Sequence, residues 1–150
     1  MPFMETQPVR WTLEYWNQQL YVGWVGARMV ALEKGLSRIE LDVGVHHRGG
    51  AGTPAVNGAM LAYLHDIVQG AAVGSLVHAD RAIATLNLNI SYLSLAAVGH
   101  VLRGEGRVIR YGSAVAFAES EFRSESGEVC CKATGTFRIL RARPEPCLGN

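Results

Sequence analysis

A chain of 150 residues with 49% hydrophobic and 18% charged residues fits one compact domain able to bury a sizeable core. A formal charge of +1, with no Lys/Arg run longer than two residues, gives no field for nucleic acid or an anionic membrane, so neither is expected as a partner. Three cysteines, the adjacent Cys130 and Cys131 and the distant Cys147, match neither a disulfide framework nor a zinc spacing, so reduced structural thiols and no metal are expected.

Met1–Arg10 has no apolar stretch behind a basic start, which predicts no secretory signal and a cytoplasmic protein. Pro8–Tyr21, with Trp11, Leu13, Tyr15, Trp16 and Leu20, reads as a short amphipathic helix whose aromatics would pack over one end of a core. Trp24–Glu33 and Leu36–Val45 flank Lys34-Gly35 and read as a hairpin, with Ile39, Leu41, Val43 and Val45 facing inward. His46–Pro54 gathers three glycines and a proline, so regular structure stops there.

Asn57–Leu76 follows, a nearly all-apolar run that predicts a helix of about 30 Å. Its small and apolar residues leave no continuous polar face, so it should be wrapped on most sides. His65, Asp66 and Gln69 interrupt it and argue against a membrane span. A carboxylate at Asp66 must be paired, hydrogen-bonded or put to chemical use, because burying an unpaired charge is costly.

His78-Ala79-Asp80 makes a turn, after which Ala82–Leu93 alternates Leu86, Leu88, Ile90 and Tyr92 on one face with Thr85, Asn87, Asn89 and Ser91 on the other. Gly99–Tyr111, Ser113–Ser124 and Glu128–Leu140 read as three more strands, broken at Gly112 and at the hairpin composition Glu125-Ser126-Gly127. The expected organisation is a helical segment over 1–24, a domain over 25–140 and a frayed tail over 141–150. One helix, two strands, one long helix and four strands predict an α+β layer pair, with the long helix across one face of an antiparallel sheet.

Asn57-Gly58-Ala59 followed by Leu61-Ala62-Tyr63-Leu64-His65-Asp66, then Thr85–Leu93, Gly104–Gly112 and Lys132–Phe137, resemble in that order the hotdog-fold acyl-CoA thioesterases of the PaaI type, named for phenylacetate catabolism. The family carries His-Gly-Gly at the helix start and then Leu-x-x-Leu-x-Asp. Here the acid is kept as Asp66, the histidine is replaced by Asn57, and the family's loop asparagine has no clear equivalent among Arg48, Gly49 and Gly50. The resemblance implies a hotdog fold: one long central helix packed across a curved antiparallel sheet of five to six strands. It also implies hydrolysis of an acyl-CoA, with a medium-chain or aromatic acyl group and no cofactor beyond the CoA of the substrate.

Thioester hydrolysis needs donors aimed at the developing oxyanion and a base or nucleophile beside the reacting carbon. Gly58, with a first-turn N–H free of an intrahelical partner, suits the first role, and Asp66 the second. They lie about 12 Å apart along one helix, so an antiparallel helix pair across a twofold axis is implied, giving a homodimer or a dimer of dimers with composite sites. The family resemblance implies the same arrangement. Asn57 favours the N-cap position, although substrate contact can coexist with capping. Thr85 matches a family position that assists the nucleophilic water, and is equally accounted for as a strand former. His46, His47 and Arg48 on the loop, with Arg107 and Arg110, suit CoA phosphates or plain surface charge. Ser113 joins this group, standing where relatives often carry a basic residue. The competing expectation is a degenerate protein that binds acyl-CoA or another acyl carrier without hydrolysing it. A hydratase is disfavoured, because His65 beside Asp66 points about 100° away.

Overall fold

The structure, a computed structural model, describes residues 11–141. The start of the first expected helix and nearly all of the expected tail, Cys147 included, lie outside the described residues.

Thr12 caps the first turn by accepting the Tyr15 N–H at 3.1 Å, and α1 runs Leu13–Asn17. The expected single helix is in fact two. Gln19 adopts an extended backbone (ψ 130°) and α2 begins at Leu20, ending at Val25 where Gly26 takes a left-handed φ of 80°. Trp24 and Val25 therefore belong to α2, and the first strand starts only at Ala27. Asn17 ties α1 to this first strand by bonding both the N–H and the C=O of Met29, at 2.8 and 2.9 Å.

Strands β1 (Ala27–Glu33) and β2 (Leu36–Asp42) form the expected hairpin. Ile39, Leu41 and Val43 face inward and are buried, but Val45 is 69% exposed. The inward alternation stops there because Val45–His47 winds into a 3-10 turn, α-free and short. Helix α3 spans Gly58–Gly74 and is followed by β3 (Ala82–Tyr92), β4 (Val101–Tyr111), β5 (Val115–Arg123) and β6 (Val129–Leu140). Six antiparallel strands in the order β1-β2-β4-β5-β6-β3 make one sheet, with α3 lying on one face. This is the hotdog architecture.

From Leu64 to Gly74 every residue of α3 is buried except Asp66. Leu64 and Val68 meet Ile39, Leu41, Leu102 and Phe122 in the main core, while Val73 and Val77 join Ala116, Ala118, Phe137 and Ile139 in a second cluster. Each fully buried large side chain contributes roughly 1.5–3 kcal/mol. The helix seats closely because the sheet beneath it is bare: a Cβ on Gly106 would meet the Val68 carbonyl, and one on Gly135 the Gln69 side chain. Ser37 donates its hydroxyl to that same Val68 carbonyl at 2.5 Å. Among the described residues, no helix is long and apolar enough to cross a membrane.

One irregularity changes a face assignment. The β3–β6 register shifts between Thr85 and Asn87, leaving Leu86 as a bulge. Thr85 stands opposite Phe137, whose side chain is buried beneath α3, whereas Asn87 stands opposite Thr136. Opposed residues of an antiparallel pair share a face, so Thr85 lies on the helix side with Leu88, Ile90 and Tyr92. Simple alternation had placed it on the opposite, polar face. A bulge inverts the face because it adds one residue to a period-two pattern, and Leu86 becomes 59% exposed.

Candidate active site

Asp66 sits at the edge of a cavity of about 470 Å³ between α3, the N-terminal helices and β3. Thr85 donates its hydroxyl to Asp66 Oδ1 at 2.7 Å. Among the described residues this is the only hydrogen bond to the carboxylate, so Oδ2 is left for a substrate or a water. The bulge in β3 creates this contact by turning Thr85 inward. Bulges recur beside active sites because they re-aim a side chain in this way.

The rest of the cavity is largely aromatic. Trp11, Tyr15 and Trp16 interlock with ring centroids 5.2 to 5.8 Å apart and form one wall. Ile67, Gly70, Ile83 and Phe137 form another, and Tyr21 and Tyr63 stand beside Asp66. Tyr63 donates its hydroxyl to the Tyr21 carbonyl at 2.8 Å. The Tyr21 hydroxyl is pushed up to about 12 by burial first, then by Tyr15, Tyr63 and Asp66, so it remains a neutral phenol. The N-terminal aromatics, read from sequence as a covering for one end of the core, thus line the pocket that holds the acid.

At the other end of the long helix, Asn57 is the N-cap and its Oδ1 accepts the Ala59 N–H at 2.9 Å. The Met60 N–H goes to the Asn57 carbonyl at 2.9 Å. The Gly58 N–H has no partner among the described residues and carries the positive end of the helix dipole. Tyr92 lies across this turn: its hydroxyl donates to the Gly58 carbonyl at 2.8 Å, and a Cβ on Gly58 would meet its ring at 3.3 Å. Tyr92 did not stand out from sequence, where it counted only as one apolar position of a strand. With Gly58 and Asp66 eight residues apart on an unbroken helix, one protomer presents a donor and an acid about 12 Å apart.

The loop residues divide. His47 is buried, accepts the Gly44 N–H at Nδ1 (2.9 Å), and so carries its proton on Nε2, which donates to the Val25 carbonyl at 2.5 Å. Both ring nitrogens are used in holding the loop to α2, which corrects the expectation of a phosphate contact there. His46 is exposed and stacks on His47 at 3.8 Å, and Arg48 is exposed and bridges Val56, close to the start of α3. Arg107 points away from α3: it opposes Glu119 on the outer face of the sheet and donates to Glu105 at 2.8 Å. Arg110 opposes the exposed Phe117 on that same outer face. Neither arginine faces the cavity of its own protomer, contrary to the sequence grouping. Ser113 is exposed in the turn before β5, near the C-terminal end of α3 and far from His46 and Arg48.

His65, one residue before Asp66 and about 100° round the helix, faces a buried polar cluster instead of the cavity. Its Nδ1 is 2.6 Å from Ser120 Oγ and its Nε2 3.1 Å from Cys131 Sγ, while Gln69 donates to the same serine at 2.7 Å. Burial lowers the His65 pKa to about 4 and raises that of Cys131 to about 12. The imidazole and thiol are therefore neutral, and the cluster belongs to the core.

A family model described as the thioesterase superfamily matches residues 54–131, the stretch that carries α3, Thr85 and most of the sheet. The Caenorhabditis elegans esterase candidate F42H10.6 is 31% identical over 109 residues, covering 72% of this chain. The chain spans 64% of the length of that relative. Among solved structures, Escherichia coli PaaI, from the phenylacetic acid degradation operon, aligns over 89% of this chain and 95% of its own with a TM-score of 0.80 at 15% identity. A Streptococcus pneumoniae thioesterase-like protein solved with coenzyme A aligns over 79% of this chain and 88% of its own, with a TM-score of 0.71 at 23% identity.

Proposed function

Because this chain belongs to the thioesterase superfamily, with the fold of the PaaI-type hotdog proteins, we propose that it hydrolyses an acyl-CoA thioester to the free acid and CoA. The observation that carries the reading is the Thr85–Asp66 pair, a carboxylate with one oxygen held and one free at the edge of an apolar cavity. Asp66 takes the proton of an attacking water, or attacks the thioester carbon itself, while Thr85 holds Oδ1 and fixes the direction of Oδ2. The tetrahedral oxyanion is met by the Gly58 N–H at the positive end of a helix. When water attacks, collapse breaks the C–S bond and the proton held by Asp66 passes to the departing CoA sulfur. When Asp66 attacks, collapse releases CoA thiolate and leaves a mixed anhydride, which a water then hydrolyses to the free acid, restoring the carboxylate and giving its proton to the thiolate. The neighbour that contains coenzyme A supports CoA as the leaving group.

Since one helix separates donor and acid by about 12 Å, two copies are needed for one site. The edge strand β3 offers the surface: it is 11 residues long, pairs only with β6 among the described residues, and exposes Leu86 and Tyr92, with Leu93 and Leu95 just beyond. Long unpaired edges invite pairing with another chain. Edge-to-edge pairing of two β3 strands about a twofold axis sets two α3 helices side by side and antiparallel, so that Gly58 of each copy serves Asp66 of the other. The same antiparallel exchange carries each copy's turn at Ser113 toward the loop of the other, where His46 and Arg48 are free to meet phosphate. The acyl group, medium-chain or aromatic, takes the aromatic cavity.

Asp66→Ala tests this. Thiol release from a panel of acyl-CoAs should fall at least about 10²-fold, the scale of a positioned acid-base group, with elution volume and circular dichroism unchanged. Unchanged turnover sinks the assignment. Asn57 favours a second reading, because its amide oxygen is consumed in capping and it brings no imidazole to the helix start. On that reading the protein holds acyl-CoA without hydrolysing it, and the wild type binds acyl-CoA tightly yet releases no thiol.

A further inference from the structure

One end of the cavity beside Asp66 is walled by Gly70 and Ile83 together with Trp11, Trp16 and Phe137, the last three outside the stretch that the superfamily model covers. Gly70 lies one turn beyond Asp66 on the same side of α3, about 6 Å along the axis. The position where it lacks a Cβ is ringed by three side chains, Ile83, Phe137 and Trp16, each 3.9 Å away. Trp16 is only 5% exposed and is held there by Trp11 and Tyr15, and the rings of Trp11 and Trp16 continue over Gly74, 3.4 to 3.6 Å from where a Cβ on it would stand. The indoles turn ring carbons toward the helix at Gly70 and Gly74, so this end is a wall of apolar ring surface, although both indole N–H groups are buried without acceptors among the described residues. Resting on the thioesterase reading, we infer that Trp16 and Gly70 are specificity-determining residues: the missing side chain at Gly70 makes the depth of the acyl pocket and the Trp16 ring ends it. The pocket then accepts a ring or a short chain reaching about one helical turn past the thioester carbon, and it rejects longer straight chains.

The length limit is read in two ways at once. Non-hydrolysable S-alkyl-CoA thioethers of increasing alkyl length are titrated by quenching of tryptophan fluorescence, and acyl-CoAs of the same lengths are assayed for thiol release. Wild type, Gly70→Ala and Trp16→Leu are compared. One methylene in an apolar pocket discriminates by about 10–200-fold. Gly70→Ala should therefore weaken binding of the longest tolerated alkyl group at least about tenfold and move the limit to shorter chains, while Trp16→Leu moves it to longer ones. A Cβ at Gly70 meets its neighbours at ordinary contact distance, and Ala is the better helix former. That variant alone carries the test if Trp16→Leu does not fold.

The outcomes separate the two claims. A shifted thioether limit with no thiol release from any acyl-CoA supports the pocket and overturns hydrolysis. Thiol release with one unchanged length profile in all three proteins supports hydrolysis and overturns the pocket. A wild type that binds no thioether and cleaves no acyl-CoA overturns both.

Discussion

Two neighbouring residues of α3 show how differently one helix can use polarity. Asp66 and His65 are about 100° apart on the helix, and each meets a hydroxyl from the sheet, Thr85 at 2.7 Å and Ser120 at 2.6 Å. On the Asp66 side the helix keeps its distance: a cavity remains, one carboxylate oxygen is unpartnered among the described residues, and Gly70 leaves room for a methyl. On the His65 side the helix is pressed onto bare glycine backbone, and each imidazole nitrogen has a partner. A hydrogen bond therefore does not distinguish a site from a core. Unfilled volume on one side of the helix does, because the packed side too leaves a polar atom, Gln69 Oε1, buried without a partner among the described residues, and substitutions on the two sides should divide into activity effects and stability effects.

The widest separation should come from one substitution made on both sides. Gly106→Ala places a methyl against the Val68 carbonyl, backbone that has no rotamer to yield. Overpacking of this kind costs about 1–3 kcal/mol and occasionally more, and here the upper end is expected because the whole helix must lift. Gly70→Ala should change stability by less than about 1 kcal/mol, or raise it, since Ala is the better helix former. Urea denaturation of the two variants measures the difference. Equal losses would mean that the cavity side is packed as tightly as the core side.

Acid sharpens the same contrast. Burial holds the His65 pKa near 4 against an ordinary 6.5, so between those values the unfolded chain binds a proton that the folded chain refuses. Stability is complete above pH 6.5 and falls as pH drops toward 4, by at most about 1.4 kcal/mol per pH unit. Glu105 and Glu125, held below the ordinary 4.5 by Arg107 and by the Val101 N–H respectively, add losses only as pH falls below that value. The interval from 6.5 to 4.5 thus isolates the imidazole from these two carboxylates. Unfolding free energies at pH 7, 6 and 5 should decline in the wild type, and in His65→Gln that decline should flatten. An equally steep decline in His65→Gln would assign it to another group.

On the cavity side Thr85→Val keeps the shape and removes the hydroxyl. Thiol release should fall about tenfold, the equivalent of one hydrogen bond to a charged group at roughly 1.5 kcal/mol, with a midpoint of thermal unfolding close to the wild type. A loss confined to KM would make Thr85 a binding contact and leave the carboxylate correctly aimed without it.

How much of this could be read from sequence follows from which pattern carries each feature. The long helix was legible with its N-cap at Asn57, because an apolar run opened by a good capping residue has few alternative structures. The strands were legible to within one or two residues at most ends, because Gly112 and the Glu125-Ser126-Gly127 turn interrupt them. Thr85 was placed correctly in the chain and incorrectly on the sheet. A bulge leaves the composition of a strand unchanged while inverting its alternation, and nothing around Leu86 announces one. The same blindness to direction grouped Arg107 and Arg110 with the site although both face away from the helix. His47 is a matter of burial: among loop residues it looks like a surface charge, and only the return of the chain past α2 encloses it.

Tyr92 makes the smallest and most local test, because it joins the two sides through the start of the helix. Its hydroxyl donates to the Gly58 carbonyl while its ring walls the approach to the Gly58 N–H. Tyr92→Phe keeps the wall and removes the bond. The phenol is at least half exposed, so water can replace it at the carbonyl, and the loss of stability should stay below about 1 kcal/mol. The peptide plane whose N–H belongs to Gly58 is fixed chiefly by the Asn57 cap, and the Tyr92 bond restrains the plane that follows it. If the oxyanion depends on that restraint, kcat should drop a few-fold with KM unchanged, because the donor is then loose only where charge develops. A rise in KM alone would instead place Tyr92 against the bound substrate as a wall, and Tyr92→Leu, which keeps apolar bulk but loses the flat ring, should then reproduce it.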